Sequence, residues 1–570
     1  MRRTLLILLL ACAPAALGAQ AGTGAGRQQL PPDVRREVVA RWNGIGPTGV
    51  RASDRLEIAA DRNIAGDVAA LRGPVIVSGH VGGGVLAVNA DVTLMPTAQI
   101  DGDLLVVGGE MDRREGSRVN GAIRIYRQPL ALRQDGDRIV ALDDQSAGEE
   151  SWWRRFERRD DDRSAALRIV KAGAYNRVEG LPIQLGPVVR RRTPWGSVQL
   201  DAAAVLRTAT SFSSDRSDVG QTLRAEVRIG RERGVGVGAA AYNVVDAVES
   251  WQLSDLETAL AAVISRRDYR DYYGRHGAQG FVTLFGDHDM SLMASYGTER
   301  WSSRAARNPF SIFSGERAWR DNPLMDEGLF HVADLRASVD TRTDPEDPWS
   351  GWFASASVEY GTGHPTSLAP TTSPRAATGD AVSYSRAFLD LRRYNRLGPD
   401  AQLNMRVVLG GWLDGDALPL ERRLSVDGPG ALPGFDFRSG RAGADVATCN
   451  EAPLLPSRPA ECDRIALAQA EYRGDLRWDL FGNWDDWPHR YHGEHGDAAW
   501  VLFADAGRGW KVGAPGGGLT YRRGEIPPLG TFRADLGVGL DVSGIGIYAA
   551  KSVSTPAEPI NYFVRLHHRF

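Results

Sequence analysis

Three clusters of reactive side chains stand out along this chain. His489, His492 and His495 recur every three residues beside Asp485, Asp486 and Asp497. Imidazole with carboxylate suits zinc; a solvated turn between strands is the plainer reading, and we expect no metal. Cys449 and Cys462 lie in a stretch rich in Gly and Pro. In an oxidising compartment they could form a disulfide, with two free thiols as the alternative. Glu471 and Asp505 sit in alternating stretches, Glu471 on one face with Gln469 and Arg473, Asp505 with Phe503 and Gly507. Two carboxylates brought together away from water need a cation, or one keeps its proton. None of these sets makes an enzyme. The chain has no Gly-x-Ser-x-Gly elbow, no Walker loop and no His-Glu-x-x-His. Gly234-Val-Gly-Val-Gly238 lacks the phosphate-binding lysine, so no cofactor is expected.

Strands must position the carboxylates. From Lys171 onward the apolar residues alternate. Leu223, Ala225, Val227 and Ile229 oppose Arg224, Glu226 and Arg228. Leu403, Met405, Val407 and Leu409 oppose Asn404 and Arg406, and the same holds over 333–342 and 532–542. Such period-two runs are half-buried strands. A sandwich hides the apolar face in a core, whereas a transmembrane barrel turns it to lipid and keeps a polar lumen. The barrel is favoured by runs of about ten residues, the length a tilted strand needs to cross a bilayer. Long loops over 244–277, 298–332 and 413–463 agree with it. So do aromatics near strand ends, Tyr242, Tyr296, Trp301, Trp349, Trp352, Tyr360 and Trp510, which read as interfacial girdles. About sixteen strands fit between Lys171 and Phe570, eleven of them before the 413–463 loop.

The remaining chain sets the context. Met1–Leu10 reads MRRTLLILLL before a small-residue run, a secretory signal peptide over 1–21. The formal net charge of −3 offers no bulk basic surface for nucleic acid. Gly66, Gly83, Gly102 and Gly121 recur at seventeen and then nineteen residues, each followed by a short apolar strand. That period suggests a solenoid, with glycine at each corner. We assign 22–55 to a short helix and linker, the helix over Pro32–Trp42 with Val34, Val38 and Val39 on one face. A periplasmic β-helix follows over 56–127, a charged linker over 128–170, and the barrel over 171–570. The linker's Trp152-Trp153 pair among arginines fits either a solvated connector or a membrane interface.

Two resemblances follow. The glycine repeat resembles the bactofilin-like, polymer-forming parallel β-helix, which implies a stacking scaffold. The ordered set Asn176-Arg-Val-Glu-Gly180, Asp340-Thr-Arg342, Gly428–Phe435, Glu471-Tyr-Arg473 and Phe503-Ala-Asp505-Ala-Gly507 resembles the bacterial surface antigen superfamily, the BamA/TamA-type outer-membrane barrels. Tyr562, Val564, Leu566 and Phe570 form an apolar face that looks like the C-terminal strand by which the barrel assembly machinery recognises its clients; His568 departs from it. The superfamily resemblance implies an all-β, sixteen-stranded barrel in the outer membrane, in contact with its lipids. It implies polypeptide or lipid clients, and a loop after strand eleven that folds into the lumen. There an Arg-Gly-aromatic tip would contact strands twelve and thirteen. Here the tip reads Pro433-Gly434-Phe435, so the arginine is missing. We expect Arg438 to replace it at Asp505 or Glu471, with Arg422, Arg423 and Arg473 as other candidates. The family's client-binding POTRA modules are absent from the pattern of 22–170. A passive pore or a surface protein anchoring the β-helix is therefore the alternative function.

Overall fold

The computed structural model describes residues 30, 32–53, 55–126, 130, 132–135, 138–141, 163–209, 219–230, 233–286, 290–313, 318–342, 348, 350–371, 378–398, 401–438, 445–451, 459–476, 498–513, 519–542, 545–566 and 569–570. The signal segment, the Trp152-Trp153 pair, Trp349, the 489–495 histidine run and His568 lie outside them. The chain divides into two compact units between residues 143 and 144, with 54–56 grouped with the second.

The first unit is a parallel β-solenoid with three faces. One face stacks Val50–Ala52, Val68–Leu71, Val85–Val88, Leu104–Val107 and Ile123–Tyr126 in register. The second and third faces each stack four shorter strands. The corner glycines have a sharper reason than an easy turn. A Cβ on Gly102 would lie 2.7 Å from the carbonyl carbon of Gly83, and one on Gly121 would lie 2.5 Å from that of Gly102. Each glycine stacks on the one below, and a methyl group would force the coils apart. The three middle strands of the first face are buried on both sides. The reason is α1 (Pro32–Gly44), whose Val34, Val38 and Trp42 cover Ala69, Leu71, Leu86, Val88, Leu105 and Val107. A hairpin of Leu132–Asp135 and Arg138–Ala141 adds Leu132 and Ile139 to this core. The described part of the stretch read as the start of a linker thus belongs to the first unit.

The second unit is an antiparallel sheet of sixteen strands among the described residues, plus a two-residue strand at Thr520–Tyr521. They run β1 (Arg163–Lys171), β2 (Pro182–Thr193), β3 (Gly196–Arg207), β4 (Val219–Ile229), β5 (Gly234–Ala247), β6 (Tyr272–Phe285), β7 (Ser291–Ser303) and β8 (Glu327–Asp340). Then come β9 (Gly351–Ser367), β10 (Val382–Gly398), β11 (Ala401–Gly415), β12 (Arg464–Asp475), β13 (Ala498–Val512), β14 (Arg533–Val542), β15 (Ile545–Ser552) and β16 (Asn561–Leu566). Each strand pairs with its neighbours in chain order. The first strand begins at Arg163, inside the segment read as linker. Strand lengths run from six residues to seventeen, a wider spread than alternation suggested.

The sheet curls into a barrel wall around the β11–β12 loop. That loop bonds to Tyr273 on β6, Glu359 on β9, Gln469 on β12, Asp535 on β14 and Asn561 on β16. Only a wall curled round it can supply all five. Leu223, Val227, Ile229, Leu335, Met405, Val407, Leu409, Leu536, Val538 and Val542 face outward and are exposed, as alternation required. Tyr296, Trp352 and Tyr360 are exposed on the same surface. Tyr242 and Trp301 are not girdle residues. Their parity turns them inward, where the Tyr242 hydroxyl and Trp301 Nε1 both donate to Glu299. Trp510 is also buried, where residues 519–521 and the β11–β12 loop cover the end of β13.

Candidate functional site

The lumen is filled chiefly by the loop between β11 and β12. Its sequence folds back on itself. Gly428 adopts φ +96°, and bridges join Gly428 to Leu432 and Leu424 to Cys462. Cys449 and Cys462 are disulfide-bonded, which staples the returning limb. A bond closing a loop of this size stabilises by about 3 kcal/mol. The loop carries its own small core: Leu424, Val426, Leu432, Phe435 and Ala447 pack on Val408, Ile465 and Leu467 of the wall. Those three wall residues are apolar although they face the lumen, so the wall holds a dry patch for the loop. Gly507 keeps that patch open, since a Cβ there would meet Leu467 Cδ1 at 2.9 Å and Leu432 Cδ1 at 3.6 Å.

The tip enters the lumen but meets a different carboxylate from the one the resemblance implies. Gly434 donates its N–H to Asp535 Oδ2 at 2.8 Å, and Pro433 accepts from Asn561 Nδ2 at 3.2 Å. A Cβ on Gly434 would lie 2.5 Å from the Asp535 Cβ, so only glycine fits. Phe435 is buried, with the Arg533 guanidinium 4.8 Å from its ring centre. Asp535 sits directly across from Asp505 in the β13–β14 ladder. Two inward carboxylates therefore face each other behind the tip.

Arg438 does not neutralise them. It pairs with Asp427 at 3.0 Å and Asp271 at 3.1 Å, because its left-handed backbone (φ +50°) turns it away toward the loop base. Arg569 takes its place. Its guanidinium bonds Asp505 Oδ2 and lies 3.7 Å over the Phe503 ring. This draws the chain inward beyond β16. The Phe570 carbonyl accepts from the Tyr394 hydroxyl at 2.6 Å, and the Phe570 ring is buried. Tyr562 and Val564 lie on the exposed outer face and Leu566 ends β16, but Phe570 does not continue that face. Arg569 could have been noticed, since it falls on the polar parity of the same run; Asp535 likewise alternates onto the lumen face.

The other carboxylates have partners too. Glu471 pairs with Arg473 at 3.2 Å, and Arg473 reaches Asp541 at 2.8 Å. Arg422 meets Glu359 at 2.7 Å and the Tyr273 hydroxyl at 2.8 Å. Arg423 holds the carbonyls of Leu418 and Glu461.

At the loop base the Asn176–Gly180 turn supplies Arg177, fully buried and bonded to Asp268, Asp271 and Asn322. Burial alone would raise the Asp271 carboxyl. Arg177, Arg320 and Arg438, at 2.6 to 3.1 Å, override it and hold that carboxyl far below the usual range. Burial and its like-charged neighbours lower Arg320 to about 10. The site is a plug tied to its walls by ion pairs. Among the described residues no group of His, Cys, Asp or Glu is placed to hold a metal.

No protein-family model matches the chain, and no curated protein sequence matches it. Among solved structures it is similar to BamA from Haemophilus ducreyi lacking POTRA domains 1–3, at 13% identity and a TM-score of 0.38 over 71% of this chain and 70% of that one. It is similar to CdiB from Acinetobacter baumannii at 10% identity and a TM-score of 0.29, covering 71% of this chain and 66% of that one. CdiB from Escherichia coli follows at 11% identity and a TM-score of 0.28, covering 77% and 67%. At these scores the likeness adds nothing to the strand ladders, on which the fold rests.

Proposed function

We propose that this chain is an outer-membrane barrel that passes or inserts polypeptide or lipid clients, with its solenoid on the periplasmic side. One observation carries the reading. Beside its apolar patch, the loop filling the lumen is fastened to its walls by ion pairs and hydrogen bonds, and no ladder joins β1 to β16 among the described residues. Polar fastenings can exchange for water or client, and an unpaired seam gives a sideways exit. The exposed face of β16 is where the barrel assembly machinery would engage this chain during its own insertion.

Depletion followed by quantification of outer-membrane proteins and lipids tests the proposal. Loss of other barrel proteins or of an outer-leaflet lipid is the expected result. Unchanged levels of both would overturn it and leave the chain as an anchor for the solenoid. Planar-bilayer recording separates the readings further: fluctuating conductance fits a movable plug, and steady open conductance fits a passive pore.

A further inference from the structure

Among the described residues no ladder joins the two margins of the sheet, β1 and β16, yet one segment, residues 255–270, is bonded to the end of β16 and to the connection leaving β1. Its helix, α2 (Asp255–Ser265), interrupts the β5–β6 connection. Near its start, Glu257 Oε1 accepts from Arg565 Nε at 2.5 Å and from the backbone N–H of Leu566 at 3.0 Å. Leu566 is the last residue of β16. Just past its end, Asp268 Oδ2 accepts the backbone N–H of Arg177 at 3.0 Å, and the Arg270 carbonyl accepts from Arg177 Nη1 at 2.5 Å. Arg177 lies in the connection leaving β1. The short helix and the five residues after it thus link the last strand to the chain emerging from the first.

The helix is built to stand without a strand neighbour. Ser254 and Glu257 form a reciprocal capping box, and Arg266 closes the far end in the left-handed conformation. Its two sides differ. Thr258 and Ala262 are buried against protein. Leu256, Leu260 and Ile264, spaced by four, are 46%, 36% and 38% exposed. Such spacing gives a single apolar stripe. Val263 and Ile264 also accept the N–H groups of Ile312 and Phe313, whose own apolar side chains are exposed. The stripe continues an apolar surface already present. Tyr562 and Val564, 72% and 60% exposed, end a few residues from the Glu257 contact.

We propose that α2 fills the seam between β1 and β16 and turns Leu256, Leu260 and Ile264 to lipid acyl chains. A bare strand edge cannot face hydrocarbon, because its backbone groups would have no partner. A helix satisfies its own backbone and can replace the missing ladder. Lateral passage then requires α2 to leave and the Glu257–Arg565 pair to break. This rests on the reading that the apolar belt lies in a bilayer.

The test uses the full chain in proteoliposomes, with its disulfide intact. Leu260→Cys, Ile264→Cys and, on β16, Val564→Cys each carry a small environment-sensitive fluorophore. Lipids bearing a nitroxide on the acyl chain are compared with aqueous iodide as quenchers. The expected result is a loss of fluorescence to nitroxide lipid at 260 and 264 matching the loss at 564, with little loss to iodide. Lipid quenching at 564 but iodide quenching at 260 would overturn the seam helix while sparing the membrane reading. No lipid quenching at 564 would sink the membrane reading itself. Protection of 260 from both quenchers would mean a covering protein, a second copy or a partner, and would also overturn the proposal.

Discussion

The solenoid and the barrel are both built of short-period β-structure, and they bury opposite chemistry. Solenoid strands of two to four residues enclose Val, Leu and Ile, and set their Asp and Asn side chains at the corners. Barrel strands of six to seventeen residues turn their apolar side chains out and enclose Arg, Asp and Glu. The difference is one of width. Three faces stacked around a narrow axis leave room only for side chains that touch one another. A sixteen-stranded wall leaves a wide space that needs a filler, and the filler must leave water by satisfying charges in pairs. Alternation alone therefore does not say which side is inside; strand length and the filler decide.

Placing a charge in the interior of each unit should separate them most. Leu104 lies wholly inside the solenoid. Leu104→Asp buries a group with no cation within reach, and we expect a loss of about 4 kcal/mol or more. Urea unfolding followed by proteolysis of the solenoid segment should show it. A loss below about 1 kcal/mol would mean that the solenoid core is wet, and would remove the contrast.

Removing a charge should be the damaging change in the barrel. Arg569→Ala leaves Asp505 and Asp535 facing each other behind the loop tip. Breaking a buried pair by deleting one partner costs about 3 kcal/mol or more. Thermal unfolding should shift down, and the 425–438 loop should become open to protease. Pro433→Arg added to Arg569→Ala should recover part of the loss, because residue 433 precedes the glycine that touches Asp535. No recovery would mean that Arg569 acts by packing over Phe503 instead.

Much of this contrast was legible in the sequence, and the parts that were not have physical reasons. The glycine period marked the coils because stacking forbids a Cβ at one place per turn. Alternation marked the strands and their outward faces because parity survives even where length does not. The identity of the lumen cation was hidden. Arg438 is nearest in sequence to the tip, but a single left-handed residue redirects it, and no pattern reports a lone positive φ outside glycine. Arg569 is distant in sequence and meets Asp505 only through the fold. Tyr242 and Trp301 were misassigned by proximity to strand ends, although counting by two from Val237 and Tyr296 places both inside. The helix in the β5–β6 connection was passed over as loop, even though Ser254-Asp-Leu-Glu257 carries a capping-box signature.

A charge on the outer wall should be milder than one inside the solenoid. Under the proposed membrane reading, Leu223→Arg faces lipid, and the long side chain can reach toward the headgroups. About 2 kcal/mol is expected for a cation at mid-depth. The mixture of folded and unfolded forms in bilayers across a urea series measures it. A cost equal to that of Leu104→Asp would mean that the outer face is as enclosed as the solenoid core.

The smallest effect is a response to pH at the base of the plug. Glu249, in the β5–β6 connection, accepts from the Ser425 N–H at 2.5 Å and the Ser425 hydroxyl at 2.7 Å. Burial pushes its carboxyl up to about 7, against the pull of Arg438 and the Ser425 hydrogen bonds, with Asp427 adding to the rise. A carboxyl raised in the folded state binds its proton more tightly there than when unfolded. Its contribution is full below the unfolded value, about 4.3, and is lost as pH rises through about 7. Between pH 6 and 8 this amounts to about 1 kcal/mol. Hydrogen exchange in residues 425–438 should accordingly be slower at pH 6 than at pH 8 once intrinsic rates are divided out. Glu249→Gln should flatten that difference, because a neutral amide keeps the contact without titrating. A slope that survives the substitution would overturn Glu249 as the titrating group and sever the pH response from the contact between Glu249 and Ser425.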